Sequence, residues 1–222
     1  MGRIHLGSIL GTTIDLDFSF IFLLALWVLS YIDQGARYAL LWIPVILISV
    51  LFHEFAHAAM IGAFGFGPSK IVLQGIGGVT INERRARPWQ DLLISAAGPL
   101  SSFILAFAVR SAYLGIPRLH QDPFFIAFVP LLVSANVVWG FFNLLPVLPL
   151  DGYSMFRNFL RLFLDERVAF AIAIWTSMVV GAILVAVSLY ARQPFIALLL
   201  IWFIRSSYLQ WQFFRSFKRT DD

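Results

Sequence analysis

Long apolar runs separated by short polar links set the organisation of this chain. Runs over about 39–64, 90–114, 124–145 and 168–190 are of the length, roughly 20 residues, that an α-helix needs to cross a bilayer. Two shorter runs, 18–32 and 195–209, fit spans that tilt little or are extended by their flanks. The pattern predicts a membrane all-α fold, a polytopic bundle of about six transmembrane helices in a single domain over residues 1–222.

Two stretches break the helical period. Residues 1–17 alternate partly between apolar and polar positions, and Gly7 and Gly11 supply turn positions, so a short interfacial β-hairpin is expected there. After Gly65-Phe66-Gly67-Pro68 interrupts the second helix, residues 70–82 read as a second hairpin of β-branched runs, with Gly77-Gly78 near its bend. An exposed edge on that hairpin could accept an extended peptide by strand addition. This makes Gly75, Ile76, Gly77, Gly78 and Val79 candidate substrate-binding residues, although a plain connector between spans would need the same pattern.

Composition narrows the class. Sixty per cent of the 222 residues are hydrophobic and only 13% are charged, well below the quarter usual in soluble domains. No cysteine is present, which excludes disulfides and thiolate ligands. No basic region followed directly by an apolar core opens the chain, so a cleavable signal peptide is not expected. The net charge of +4 suits anionic head groups, and no basic-aromatic array points to nucleic acid. Of the sixteen Lys and Arg residues, twelve fall on one set of alternate links and termini, and four (Arg37, Arg110, Arg118, Arg192) on the other. Both termini, including a tail over 210–222, are therefore expected on the cytoplasmic side; the membrane itself is expected to be a prokaryotic cell (inner) membrane.

Ionisable groups inside apolar spans are costly and mark function by default. The second span contains Leu51-Phe52-His53-Glu54-Phe55-Ala56-His57, which holds two of the four histidines and one of the three glutamates in the chain. Four residues apart on a helix, His53 and His57 share a face and can hold one metal ion, zinc being the usual one. Glu54 points to the neighbouring side, within reach of a water at that metal. His57 lies seven residues before Phe64, which places the site on the order of 10 Å inside the cytoplasmic face.

Other polar positions compete or cooperate with this motif. Asp91, near the start of the third span, is a rival ligand, though a carboxylate at a helix N-terminus needs no metal. In the same span, Gly98 and Ser102 read first as small packing residues around Pro99, with a part in shaping the site as the second reading. His120 reads as a loop histidine. The fourth span contains Asn136 and ends in Asn143-Leu-Leu-Pro146-Val-Leu-Pro149-Leu-Asp151-Gly152. Its two prolines preclude a regular helix, and such backbone at membrane depth must be buried in protein or line a cavity. Asp151 is thus available to a metal site, or alternatively caps an interfacial helix.

With these residues in view, the chain resembles the site-2 protease (M50) family of intramembrane zinc metalloproteases. That family pairs a membrane-embedded His-Glu-x-x-His, here His53 to His57, with Asn-x-x-Pro-x-x-Pro-Leu-Asp-Gly, here Asn143 to Gly152, and Gly98-Pro99 resembles a feature of its third span. The resemblance implies His53, His57 and Asp151 as ligands of one Zn2+ per chain, with Glu54 as general acid/base toward a zinc-bound water. It also implies a catalytic Asn143 that positions substrate or stabilises an oxyanion, and it places Asn136 among the substrate contacts. The implied activity is hydrolysis of a peptide bond within or near the transmembrane segment of a membrane-tethered protein, as in regulated intramembrane proteolysis. Ser102 stands where the family often has Asn, and Tyr153 where a second glycine is common. No stretch is expected to form a PDZ or CBS domain, so the form is compact. The partners implied are a membrane-spanning protein substrate and the lipid bilayer; a homo-oligomer or regulatory membrane partner stays open. The competing readings are a catalytically inactive or metal-transporting membrane protein of the same architecture, or an unrelated zinc protease recruiting Glu83 or Glu166.

Overall fold

Asp17 ends one strand and starts one helix. Its Oδ1 accepts hydrogen bonds from the Ser19 amide at 2.9 Å and the Ser19 hydroxyl at 2.6 Å, the geometry of an N-cap. The computed structural model describes residues 2–75, 77–83 and 86–218. Ile76 of the second hairpin, and Arg84, Arg85 and Arg219 of the charge count, lie outside the described residues. Two units are distinguished: Met1–Arg85 with Ala97–Phe141, and Ala86–Ala96 with Phe142–Asp222.

The first unit contains strands β1 (Arg3–Ile9) and β2 (Thr12–Asp17), helices α1 (Phe18–Ser30) and α2 (Ala36–Ala63), and strands β3 (Lys70–Gln74) and β4 (Gly77–Ile81). It also holds most of α3 (Pro88–Gly115) and α4 (Pro123–Asn143). Both hairpins form where the sequence predicts them, and they join into one sheet of order β1-β2-β3-β4. The join is parallel, Ile14 opposite Ile71 and Leu16 opposite Leu73. It is possible because α1 and α2 lie between the two strands in sequence and carry the chain back, as a parallel pair requires. Ile71, Val72 and Leu73 are fully buried, the continuous apolar run of a central strand covered on both faces. Phe20 of α1 and Val50 of α2 pack with Ile71 and Leu73 in one cluster. Strand β3 is thereby fixed to both helices, and β4 becomes an outer strand.

The second unit holds α5 (Asp151–Leu160), α6 (Glu166–Tyr190) and α7 (Pro194–Lys218) with the first turns of α3. The stretch from 210 to 218 continues α7 as helix. Tyr153 packs with Ala173 and Ile174. The irregular 144–150 segment predicted from its prolines is present, with Val147 fully buried. Its Leu148 amide donates to Ser177 Oγ on α6 at 2.9 Å, and Ser177 bonds Ser207 Oγ on α7 at 2.9 Å. A broken backbone in an apolar setting needs such a partner. A Cβ on Gly152 would run into the carbonyls of Leu144 and Leu145, so the glycine is what lets that segment fold back onto α5. Glu166 forms ion pairs with Arg157 and with Arg161, the latter at 2.6 Å.

Five helices are long and apolar enough to cross a membrane, α2, α3, α4, α6 and α7 among the described residues. The predicted first span is α1, with only 13 residues, about 20 Å of rise; it is the sixth apolar helix and a short one. Large side chains such as Phe107, Val138 and Leu198 are exposed, as lipid-facing residues are. The protein is an integral, multi-pass membrane protein.

Candidate metal and catalytic site

Ser49, His53 and His57 follow one another at four-residue intervals on α2, and all three are buried. The two imidazole centroids lie 4.9 Å apart with planes at 78°. Spacing alone puts them on one face; α3 decides which nitrogen of each is presented. His53 Nδ1 lies 3.1 Å from Ser102 Oγ, and that hydroxyl is 3.4 Å from the Gly98 carbonyl. With the serine proton directed to the carbonyl, Oγ accepts from Nδ1–H. In that arrangement Nε2 keeps the lone pair that can bind a metal.

Gly98 supplies the second determinant. A Cβ built there would collide with His57 Nε2 and would stand 2.5 Å from His53 Nε2. Both Nε2 atoms therefore lie close against α3 at one point, an approach possible only because residue 98 has no side chain. Two imidazoles on one helix face, with their Nε2 atoms this close together, fit a zinc ion. The small residues of α3, read from sequence as packing positions, thus shape the histidine face directly.

Glu54 is buried on the neighbouring side of α2. Strand β4 lies against it: Thr80 Oγ1 is 2.7 Å from Glu54 Oε2 and 3.1 Å from the Glu54 carbonyl oxygen. A Cβ on Gly78 would meet the Glu54 side chain, including Oε1 at 2.8 Å. Gly78 and Thr80 share a strand face because successive residues alternate. The candidate residues Gly77, Gly78 and Val79 are thus part of the strand beside Glu54, and Gly75 forms the preceding turn, its amide donating to Ser19 Oγ at 3.0 Å. Gly77 already pairs with Gln74, so Gly77 and Gly78 are strand residues. Trp139 of α4 stands edge-on to His53, centroids 6.5 Å apart, and a Cβ on Gly77 would come within 2.9 Å of its ring. An indole at that place gives the site an apolar wall.

Asn136 is completely buried on α4, where its Nδ2 donates to Ser49 Oγ at 2.9 Å and to the Leu132 carbonyl at 2.8 Å. Its Oδ1 is buried without a hydrogen-bond partner among the described residues. In the second unit, Asn143 is buried at the end of α4, and Asp151 is the first residue of α5, half-buried. Leu150, not Asp151, occupies the N-cap position. Of the rival carboxylates, Glu166 is engaged with Arg157 and Arg161, Asp91 lies 4.0 Å from Arg161, and Glu83 is exposed. His120 bonds the Tyr113 carbonyl at 2.8 Å in its loop, as predicted.

A family model described as Peptidase M50B-like matches residues 19–150. The chain belongs to the M50B-like peptidase family. Among curated proteins it is 35% identical to a zinc metalloprotease of Methanocaldococcus jannaschii, over 71% of this chain and 45% of that protein. It is 33% identical to stage IV sporulation protein FB of Bacillus subtilis, over 57% of this chain and 42% of that protein. The chain thus spans under half the length of these relatives. A solved site-2 protease from Methanocaldococcus jannaschii shares the fold, with a TM-score of 0.69, 24% identity and 94% of each chain covered. The M50B-like fold accounts for the helical bundle with its small sheet.

Thr80 and Trp139 are not singled out from sequence, and Ser102 reads there as a packing residue first, with a part in shaping the site second. The signal for Thr80 was available. A glycine placed against the base at 78 implies that 80 faces it too. No comparable signal marks Ser102 or Trp139, whose contacts depend on how α3 and α4 pack on α2.

Proposed function

We propose that this protein is an intramembrane zinc metalloprotease that hydrolyses a peptide bond within or near the transmembrane segment of a membrane-tethered protein. The observation that carries the reading is the close approach of both histidine Nε2 atoms to one point beside Gly98, with Glu54 next to His53 on the same helix. Membership of the M50B-like family and the zinc metalloprotease name of a relative support it. In this proposal His53, His57 and Asp151 hold one zinc ion, and two neutral ligands with one carboxylate leave a fourth position open, as catalytic sites require.

Zinc bound there would supply Lewis-acid polarisation of the scissile carbonyl and acidification of the attacking water. The chain's own groups do the rest. Glu54 takes the proton from the water and returns it to the leaving amine. Asn143 donates an N–H to the oxygen on which charge develops. Trp139 and the buried α2 face keep bulk water out, which strengthens each of these interactions. A substrate helix must unwind before its carbonyl is accessible. Gly77, Gly78 and Val79, with Gly75 in the turn before them, offer the outer edge of the sheet to the freed backbone; Ile76, outside the described residues, is proposed as a substrate contact with them. Asn136 keeps one acceptor, Oδ1, for the same purpose. Both termini are assigned to the cytoplasm and the site to the cytoplasmic side on the charge asymmetry; the membrane is proposed to be a prokaryotic cell membrane, as for the archaeal and bacterial relatives.

The test compares cells carrying the wild-type chain with cells carrying Glu54→Gln. Single-span membrane proteins should accumulate at full length only with the variant, and purified protein should contain about one zinc per chain that His53→Ala loses. Equal cleavage by Glu54→Gln, or protein without zinc, would overturn the assignment.

A further inference from the structure

Resting on the protease reading, we infer that Thr80 is a positioning residue that assigns different tasks to the two oxygens of the Glu54 carboxylate. Its hydroxyl is 2.7 Å from Oε2, the distance of a good O–H to carboxylate bond. The same hydroxyl is 3.1 Å from the Glu54 backbone carbonyl. Having one proton, it gives it to the nearer, charged acceptor. Among the described residues Thr80 is the one hydrogen-bond partner of this carboxylate, so Oε1 is left without a hydrogen bond.

The other oxygen is kept open by Gly78, where even a Cβ would stand 2.8 Å from Oε1. Gly78 and Thr80 are two positions apart on β4 and so act from one strand face. One holds Oε2 and the other leaves space at Oε1, which makes Oε1 the oxygen that exchanges protons with the reacting groups. A glutamate has three side-chain torsions, and an unheld carboxylate would rotate between both uses. Fixing one oxygen spares the reaction that entropy, and small misplacements at this step cost on the order of 100-fold. The bond also ties the base to the outer strand, so any peptide pairing on β4 is registered against the oxygen that acts on it. This division of labour requires the hydroxyl, not the shape, of residue 80.

The experiment uses full-length protein in lipid vesicles with a single-span reporter peptide that carries a glycine-proline break in its apolar segment. Wild type, Thr80→Val and Thr80→Ser are compared, with Glu54→Gln as the blank. Thr80→Val, which keeps the branched shape, should lower kcat by roughly 10-fold to 100-fold with KM changed less than about twofold and zinc content unchanged. Thr80→Ser should recover most of kcat. Infrared spectra of protein with 13C-labelled glutamate carboxyls give a second readout that needs no turnover. The carboxylate band that Glu54→Gln removes should move in Thr80→Val and stay in place in Thr80→Ser. An unmoved band in Thr80→Val overturns the inference, as does a valine variant with wild-type kcat or a serine variant as slow as valine. A wild-type protein that does not cleave counts against the protease reading, and the infrared comparison then decides on Thr80 alone.

Discussion

Ser102 Oγ lies 3.1 Å from His53 Nδ1, joining residues 49 positions apart in sequence. The serine is fully buried, and its own proton is directed to the Gly98 carbonyl. One hydroxyl thereby meets the ring of a proposed metal ligand, although its position in the sequence suggests close helix packing first.

Ser102→Ala should weaken zinc binding by about 10-fold to 100-fold, the usual cost of losing the hydrogen bond behind a ligating histidine. Competition with a chelator of known affinity measures this on purified protein. Unchanged affinity would mean that Ser102 only packs.

Gly98→Ala should abolish zinc binding, because its Cβ would press on the Nε2 atoms of both histidines. Alanine favours helix over glycine by roughly 1 kcal/mol, so loss of metal without loss of helix content is the expected pair of results. Gly62→Ala, with nothing within 4 Å of the added carbon, serves as the control and should bind zinc normally.

Ser177→Ala should destabilise the second unit by about 1–3 kcal/mol, the cost of leaving a buried amide without its partner. The amide concerned is that of Leu148, three residues before Asp151. A lowered unfolding midpoint in detergent, with a smaller effect from Ser207→Ala, would show the order in which the two hydroxyls matter. Equal midpoints for wild type and Ser177→Ala would show that the segment needs no such anchor.

The sheet carries an acid-sensitive join. Hydrogen bonds from Lys70, at 2.5 Å, and then His5, at 2.9 Å, hold the Asp15 carboxyl below its ordinary value of 3.8. A carboxylate with a depressed pKa in the folded state contributes stability above its unfolded value, and that contribution disappears as pH falls through the folded value. Amides of β2 and β3 should therefore exchange hydrogen faster as pH drops below about 3.8, after correction for intrinsic rates. Asp15→Asn should flatten that dependence; an equally steep response in the variant would place its origin elsewhere.

Local pattern determined much of this protein. Apolar run lengths located the helices, alternation and glycines located both hairpins, and the four-residue spacing of His53 and His57 put two imidazoles on one helix face. Each of these depends on neighbours within a few residues, where the periods of helix and strand are rigid. Run length was a weaker guide to α1, whose 13 residues are fewer than the apolar stretch suggests because the chain turns near Tyr31.

Tertiary structure decided the rest. The parallel join of β2 to β3 pairs residues more than fifty positions apart, and a period of two specifies a strand's faces but not its partner. The partner of His53 Nδ1, the close approach of both Nε2 atoms to Gly98 and the hold of Thr80 on Glu54 come from α3 and β4 packing against α2. Those contacts are set by where distant backbones approach. A serine, a glycine and a threonine look ordinary in sequence, and the α2 side chains they meet give them their roles.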